Sequence, residues 1–303
     1  MHLATQSRRL AFALAILLFP MMPASAADAP VALSEVLRDR MVALENGDFA
    51  TARRILEPLA NSGNTDAQYL LGVMYMRGDG VPQNSREAAR LFRLSADHGS
   101  KHSQLQFARL LLEGVGVEKD EFEAFRYFEL SSRQGFAPAQ LALGTLLNPG
   151  EFEHSGGYVG ANGPPSGDPL AQRIPKDAVM SAHYFRLAAE QGNPDAQFSL
   201  GLSFERGLGV PLNSAEAVRL YRLAAKQGHS GAQNNLGAMY SDGEGVKRDH
   251  LKAYMWLVIA AASGASNSTD NRDTMRARMT PRQRAQAEQM AARCLETQFV
   301  ACD

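Results

Sequence analysis

Five times along the chain a short apolar stretch opens on Gln and closes on a small residue: Gln68-Tyr-Leu-Leu-Gly72, Gln104-Leu-Gln-Phe-Ala108, Gln140-Leu-Ala-Leu-Gly144, Gln197-Phe-Ser-Leu-Gly201 and Gln233-Asn-Asn-Leu-Gly237. The steps between copies are 36, 36, 57 and 36 residues. Within each copy the apolar positions fall three and four apart, as in Leu71 and Tyr75, which places them on one face of a helix. A second helix follows in every copy. Its apolar face reads Ala88/Leu91/Phe92, Ala124/Tyr127/Phe128, Ser181/Tyr184/Phe185, Ala217/Leu220/Tyr221 and Ala253/Trp256/Leu257. A fixed period of this length predicts stacked two-helix units, each too small to bury its own apolar side.

Turn and cap residues recur in the same register. The first helix is predicted to stop at Gly78, Gly114, Gly150, Gly207 and Gly243, where the left-handed backbone open to Gly ends a helix. Asn84, Asp120, Asp177, Asn213 and Asp249 then stand where a side-chain oxygen accepts from the first free amides of the second helix. That helix stops at Gly99, Gly135, Gly192, Gly228 and Gly264. Gly or Ala in the middle of the first helix (Gly72, Ala108, Gly144, Gly201, Gly237) costs helix propensity, so its recurrence points to close packing. The in-register aromatic stripe reads as core rather than as a stacking platform for sugars or bases.

The copies divide the chain. Residues 64–99, 100–135, 136–192, 193–228 and 229–264 are five repeats, the third interrupted by an insert at 151–172. Residues 27–63 carry half of a degenerate unit, an N-terminal cap. Residues 265–303 hold a C-terminal helix and tail, opening at the capping-box pattern Thr280-Pro281-Arg-Gln283.

Residues 1–26 have the form of an export signal: Arg8 and Arg9, an apolar run from Leu10 to Phe19, and Ala24-Ser25-Ala26 as a small-residue cleavage site. The run is short for a membrane span, which needs about 20 residues. Cleavage is therefore expected, with no stable transmembrane segment afterwards and a periplasmic or secreted location. The formal net charge is −1, and loss of the two leader arginines makes it −3. That balance offers nothing to nucleic acid, which prefers a strongly basic face. The two cysteines, Cys294 and Cys302, both lie near the C-terminus. In an oxidising compartment their spacing permits a disulfide that would pin the tail; two free thiols are the alternative.

The string Asp195-Ala-Gln-Phe-Ser-Leu-Gly201, with Gly207-Leu-Gly-Val210 and Ala217 through Ala224-Ala225-Lys-Gln-Gly228, resembles the Sel-1-like repeat, a branch of the tetratricopeptide-type α-solenoids. The resemblance covers residues 64–264. It implies an all-α, right-handed α-solenoid of antiparallel helix pairs and a non-catalytic adaptor or scaffold role in envelope or host-interaction processes. One Cys-rich branch of the family is linked to penicillin binding, but its regular cysteine pairs are absent from these repeats, so that activity is not carried over. The resemblance also implies that a partner lies along the first helices, on the concave surface. The candidates there are Tyr69 and Arg77; Leu105 and Arg109; Phe198, Leu202, Glu205 and Arg206; and Asn234. At each position ordinary surface or packing against the next repeat is the competing reading.

The insert is rich in Gly and Pro and excludes regular helix. Its Phe152, His154 and Tyr158 are candidate contact residues, weighed against a solvated loop without a role. No HExxH or GxSxG string and no metal-spaced Cys/His set occurs, so no catalytic, cofactor or metal residue is assigned. The expected partner is a protein or peptide. The alternatives are an envelope-modifying or β-lactam-binding protein with its site near the insert, and a binder of peptidoglycan without turnover.

Overall fold

The structure is a computed structural model that describes residues 46–149, 174, 176–265 and 267–302. The leader, residues 27–45, and the insert with Phe152, His154 and Tyr158 lie outside the described residues. Among the described residues there are thirteen α-helices and no strand. They are α1 Phe49–Asn61, α2 Thr65–Arg77, α3 Ser85–Asp97, α4 Lys101–Glu113, α5 Glu121–Arg133, α6 Ala137–Leu147, α7 Ala178–Glu190, α8 Pro194–Arg206, α9 Ser214–Ala225, α10 Ser230–Asp242, α11 His250–Ala262, α12 Ser268–Ala277 and α13 Pro281–Glu296. The fold is an all-α solenoid of repeats. The helices divide into two compact units, Met1–Ser103 with Val115–Val117, and Gln104–Gly114 with Glu118–Asp303.

Local chemistry sets where each helix begins and ends. The side chains of Asn84, Asp120, Asp177, Asn213 and Asp249 accept from backbone amides three residues on, at 2.8–3.1 Å, and so start α3, α5, α7, α9 and α11. Gly78, Gly207 and Gly243 end α2, α8 and α10 in the left-handed conformation. A second glycine in the same turn meets the preceding repeat. A side chain on Gly209 would run into the backbone of Ala178 and Val179 at the start of α7, and one on Gly245 into Ser214 and Ala215 at the start of α9.

In the first unit Leu56, Leu71, Met74 and Leu91 bury together between α1, α2 and α3. In the second, Ala182, Phe185, Ala188, Ala196, Leu200 and Leu220 form one cluster. A larger cluster joins Tyr221, Leu236, Met239, Trp256 and Leu257 to the C-terminal cap through Met275, Met279, Ala287 and Ala291. The aromatic stripe is core at Phe92, Tyr127, Phe128, Phe185, Tyr221 and Trp256, all 2% exposed or less, while Tyr184 is only half-buried.

The small residue of the first helix has a definite partner. A Cβ on Gly72, Gly201 or Gly237 would lie 2.8, 2.6 or 2.7 Å from Phe92, Tyr221 or Leu257, the apolar residue at the same register of the second helix. At the far end α12 and α13 pack on α11, and α13 starts with a complete capping box at Thr280 and Gln283. Cys294 and Cys302 are joined by a disulfide, with a Cα–Cα distance of 4.7 Å, and both are buried in the terminal cluster. The bridge holds Phe299 beside Gly228.

Candidate functional site

The recurring Gln is a stitch between helices rather than a contact for a ligand. Gln68, Gln197 and Gln233 donate through Nε2 to the carbonyls of Ala60, Ala189 and Ala225 at 3.1, 3.3 and 3.2 Å, each eight residues earlier. That carbonyl already accepts the amide of Gly63, Gly192 or Gly228 and so closes the Gly turn of the preceding second helix. On the other side, Gln104, Gln140 and Gln197 accept through Oε1 from Gln134, Gln191 and Gln227 at 2.7–2.9 Å, just past the end of the second helix of their own repeat. Gln197 thus ties α7, α8 and α9 together. Gln68 and Gln233 lack the second half of this arrangement, because His98 and Ser263 stand where the donor Gln should be. Their Oε1 atoms are buried with no hydrogen-bond partner among the described residues. The periodic Gln was visible in the sequence, as was a Gln directly before three of the Gly stops; their pairing was not.

The candidate contact residues separate into three groups. Leu105 and Leu202 are buried, at 4% and 6% exposure, and serve packing; the surface role proposed for them does not fit where they sit. In the first unit Arg77 is exposed, and Tyr69 is half-buried between Phe92 and His102, with ring centroids 5.8 and 5.7 Å away. Burial lowers the pKa of His102, and Lys101 adds to this. In the second unit Arg109 is half-buried on α4 and Arg206 is exposed at the end of α8.

Phe198 and Asn234 belong to one continuous patch on α8, α10 and α12. Phe198 is half-buried, 5.8 Å from the Tyr221 ring and stacked on His229 at 4.4 Å. His229 caps α10 by accepting the Ala232 amide on Nδ1 at 3.0 Å. That geometry requires the proton on Nε2, which faces the Asp195 carboxylate at 3.5 Å. Burial lowers the His229 pKa, against the opposing pull of Asp195. The capping role was not legible, because His is not among the residues that ordinarily signal a helix start.

Beside Phe198 runs a chain of side-chain hydrogen bonds. Asn271 Nδ2 donates to Asn234 Oδ1 at 2.9 Å, and Asn234 Nδ2 to Asn235 Oδ1 at 3.2 Å. Asn235 hydrogen-bonds the Tyr221 hydroxyl, which in turn donates to Glu205 Oε2. Burial pushes the Tyr221 pKa up, with the Glu205 charge and hydrogen bond acting in the same direction, so the phenol keeps its proton and remains a donor. The sequence named Asn234 and Glu205 separately. It gave no sign of Asn271, which comes from the cap.

The patch offers an aromatic face, a carboxylate and carboxamides: groups that bind and orient. Among the described residues no group of His, Cys, Asp and Glu is arranged to hold a metal ion, and no helix is long and apolar enough to cross a membrane.

Comparison with known proteins fits this architecture. The Sel1 repeat family model matches residues 65–100, 102–136, 170–193, 194–229 and 230–264, more than half of the chain. In the third copy the match begins only at residue 170, at the end of the insert, although α6 precedes it. A Sel1 repeat protein from Oxalobacter formigenes has a similar structure, with a TM-score of 0.65 and 24% identity over 80% of this chain and 86% of that one. The match to c5321, a protective antigen of uropathogenic Escherichia coli with an SLR fold, has a TM-score of 0.41 and 27% identity over 83% of this chain and 65% of that one. No curated protein matches the chain. With five matched copies, caps in register and an all-helical repeat fold, the chain belongs to the Sel1 repeat family.

Proposed function

We propose that this protein is a non-catalytic, exported scaffold that binds a protein or peptide segment along the first helices of its repeats. The observation that carries the reading is a pair of aromatic rings left partly open on first helices. Tyr69 and Phe198 each stand one residue after the recurring Gln, and both stay half-buried. Near Phe198 lie half-buried hydrogen-bonding residues, namely Asn234, Asn235, Asn271 and Glu205. Aromatic anchors ringed by hydrogen-bonding groups are what peptide and protein interfaces use. Sel1 repeats commonly mediate protein–protein interaction, and five of them supply a repeated surface for it.

A photo-crosslinking side chain installed at position 198 or 69 tests the site in cells. Adducts are expected from those positions and not from Leu223, which is exposed on α9. Equal adduct yields from all three positions would remove the first-helix assignment. Export is tested separately: the mature chain should begin directly after Ala26 or Ala27.

A further inference from the structure

We infer that the α8 face selects a peptide carrying a basic side chain three residues from an apolar one, with Glu205 receiving the cation and Phe198 the apolar residue. This rests on the peptide-binding reading above and names the chemistry its partner must have.

The argument starts from what is unusual about the fourth repeat. At the register of Glu205 the other copies have Met76, Leu112, Asn148 and Ser241. At the register of Tyr221 they have Phe92, Phe128, Phe185 and Leu257. Only this repeat has a hydroxyl at the register of Tyr221, and only this repeat has an acid at the register of Glu205. A buried phenol needs one acceptor, and a neutral carboxamide such as that at position 148 would serve. A carboxylate kept half out of water carries a desolvation cost that a carboxamide does not.

The surroundings then hold that carboxylate ready. The hydrogen bonds from Asn271 through Asn234 and Asn235 to Tyr221 all run in one direction and end on Glu205 Oε2. A chain aligned donor to acceptor polarises each member in the same sense and fixes the last one in place. Tyr221 is fully buried, so the terminal donor cannot swing away. Glu205 Oε1 has no hydrogen-bond partner among the described residues, and the described residues form no ion pair with this carboxylate. A half-buried carboxylate with one oxygen held by a fixed donor is a receptor for an ammonium or guanidinium group.

The spacing comes from the helix. Asp195, Phe198, Leu202 and Glu205 lie three, four and three residues apart, on one face of α8. Phe198 and Glu205 are separated by seven residues, about 10 Å along the axis at ~1.5 Å per residue. A peptide in the polyproline II conformation advances roughly 3.1 Å per residue and returns its side chains to the same direction every three residues. Residues three apart on a segment lying along α8 therefore reach both side chains. Asp195, at the other end of the same face, adds a second carboxylate, 63% exposed and facing His229, while the exposed Arg206 beside Glu205 sets a cation at the end of α8.

The test uses the full chain and a displayed library of random heptapeptides. Wild type should enrich peptides with Lys or Arg three positions from an apolar residue. Glu205→Gln retains an acceptor for Tyr221 and should lose the basic preference while keeping the apolar one. Phe198→Ala should do the reverse. A synthetic selected peptide with Arg replaced by citrulline should bind wild type about tenfold or more weakly, the loss expected for a hydrogen bond to a charged group, and bind Glu205→Gln unchanged. The citrulline arm stands even where a variant fails to fold. Selected peptides without a basic preference, or with one that citrulline or Glu205→Gln leaves intact, overturn this inference and leave the peptide-binding reading standing. Recovery of no binder by wild type overturns both.

Discussion

Completing the glutamine stitch where it is broken should make the protein more stable. Gln134 shows what the missing residue does: its Nε2 reaches Gln104 Oε1 at 2.8 Å while also lying 3.5 Å from the Leu130 carbonyl. Gln191 repeats this with Gln140 and Leu187, at 2.7 and 3.2 Å. His98 occupies the same register in the first repeat and makes only the second contact, Nδ1 to the Leu94 carbonyl at 2.7 Å. Gln68 Oε1 is left buried and unpaired. His98→Gln therefore keeps the carbonyl contact and adds a donor for an orphaned acceptor, at an exposed site where no packing is disturbed. A buried hydrogen bond is worth about 0.5–1.5 kcal/mol net, and relief of an unsatisfied group lies toward the upper end. For a chain of this size, about 1 kcal/mol raises Tm by roughly 2–4 °C. Ser263→Gln does the same for Gln233 in the second unit, with the loss of the Ser263 contact to Ile259 deducted. Thermal melts of each variant, repeated in a Gln68→Leu or Gln233→Leu background, isolate the pair, because the gain must vanish when its acceptor is gone. A gain that persists without the acceptor, or no gain at either site, refutes the account of the stitch.

Two further outcomes follow from the packing and the caps. Gly201→Leu drives a side chain into the Tyr221 ring, which is enclosed on all sides, and should cost at least about 1–3 kcal/mol, visible as a lowered Tm; an unchanged melt would contradict the close approach of α8 and α9. Stability should also fall with pH below about 6.5: the unfolded chain then takes up a proton on His229 that the folded chain, with its lowered pKa, resists until the pH passes that lower value. His102 contributes in the same direction from the first unit. His229→Asn retains a helix cap without the titration, so Tm should depend less on pH between 5 and 7; an identical slope in both proteins would show that His229 is not the group responsible.

Most of the architecture was legible because repetition acts as an internal control. A single Asn84 before a helix is a weak signal. Five Asn or Asp residues in phase, each followed by an apolar face and a Gly stop, leave few other folds open. What periodicity could not supply is whatever breaks it. The first-helix position after the recurring Gln reads Tyr69, Leu105, Leu141, Phe198 and Asn234, and the pattern alone treated these residues as equivalent members of one surface. The structure buries Leu105, leaves Phe198 half-exposed, and ties Asn234 to Asn271 in a helix that belongs to no repeat. Leu202, four residues beyond Phe198 and on the same side of α8, is nevertheless buried in the terminal cluster. In a repeat protein the shared positions build the scaffold, so the information about a partner must reside in the departures. The clearest departure here is paired: Tyr221 and Glu205 each deviate from their columns, and they deviate toward each other. One deviation alone would leave a buried hydroxyl without its acceptor or a carboxylate without its anchor. Their coincidence on the face that also carries Phe198 is why specificity is sought at α8 rather than spread evenly along the repeats.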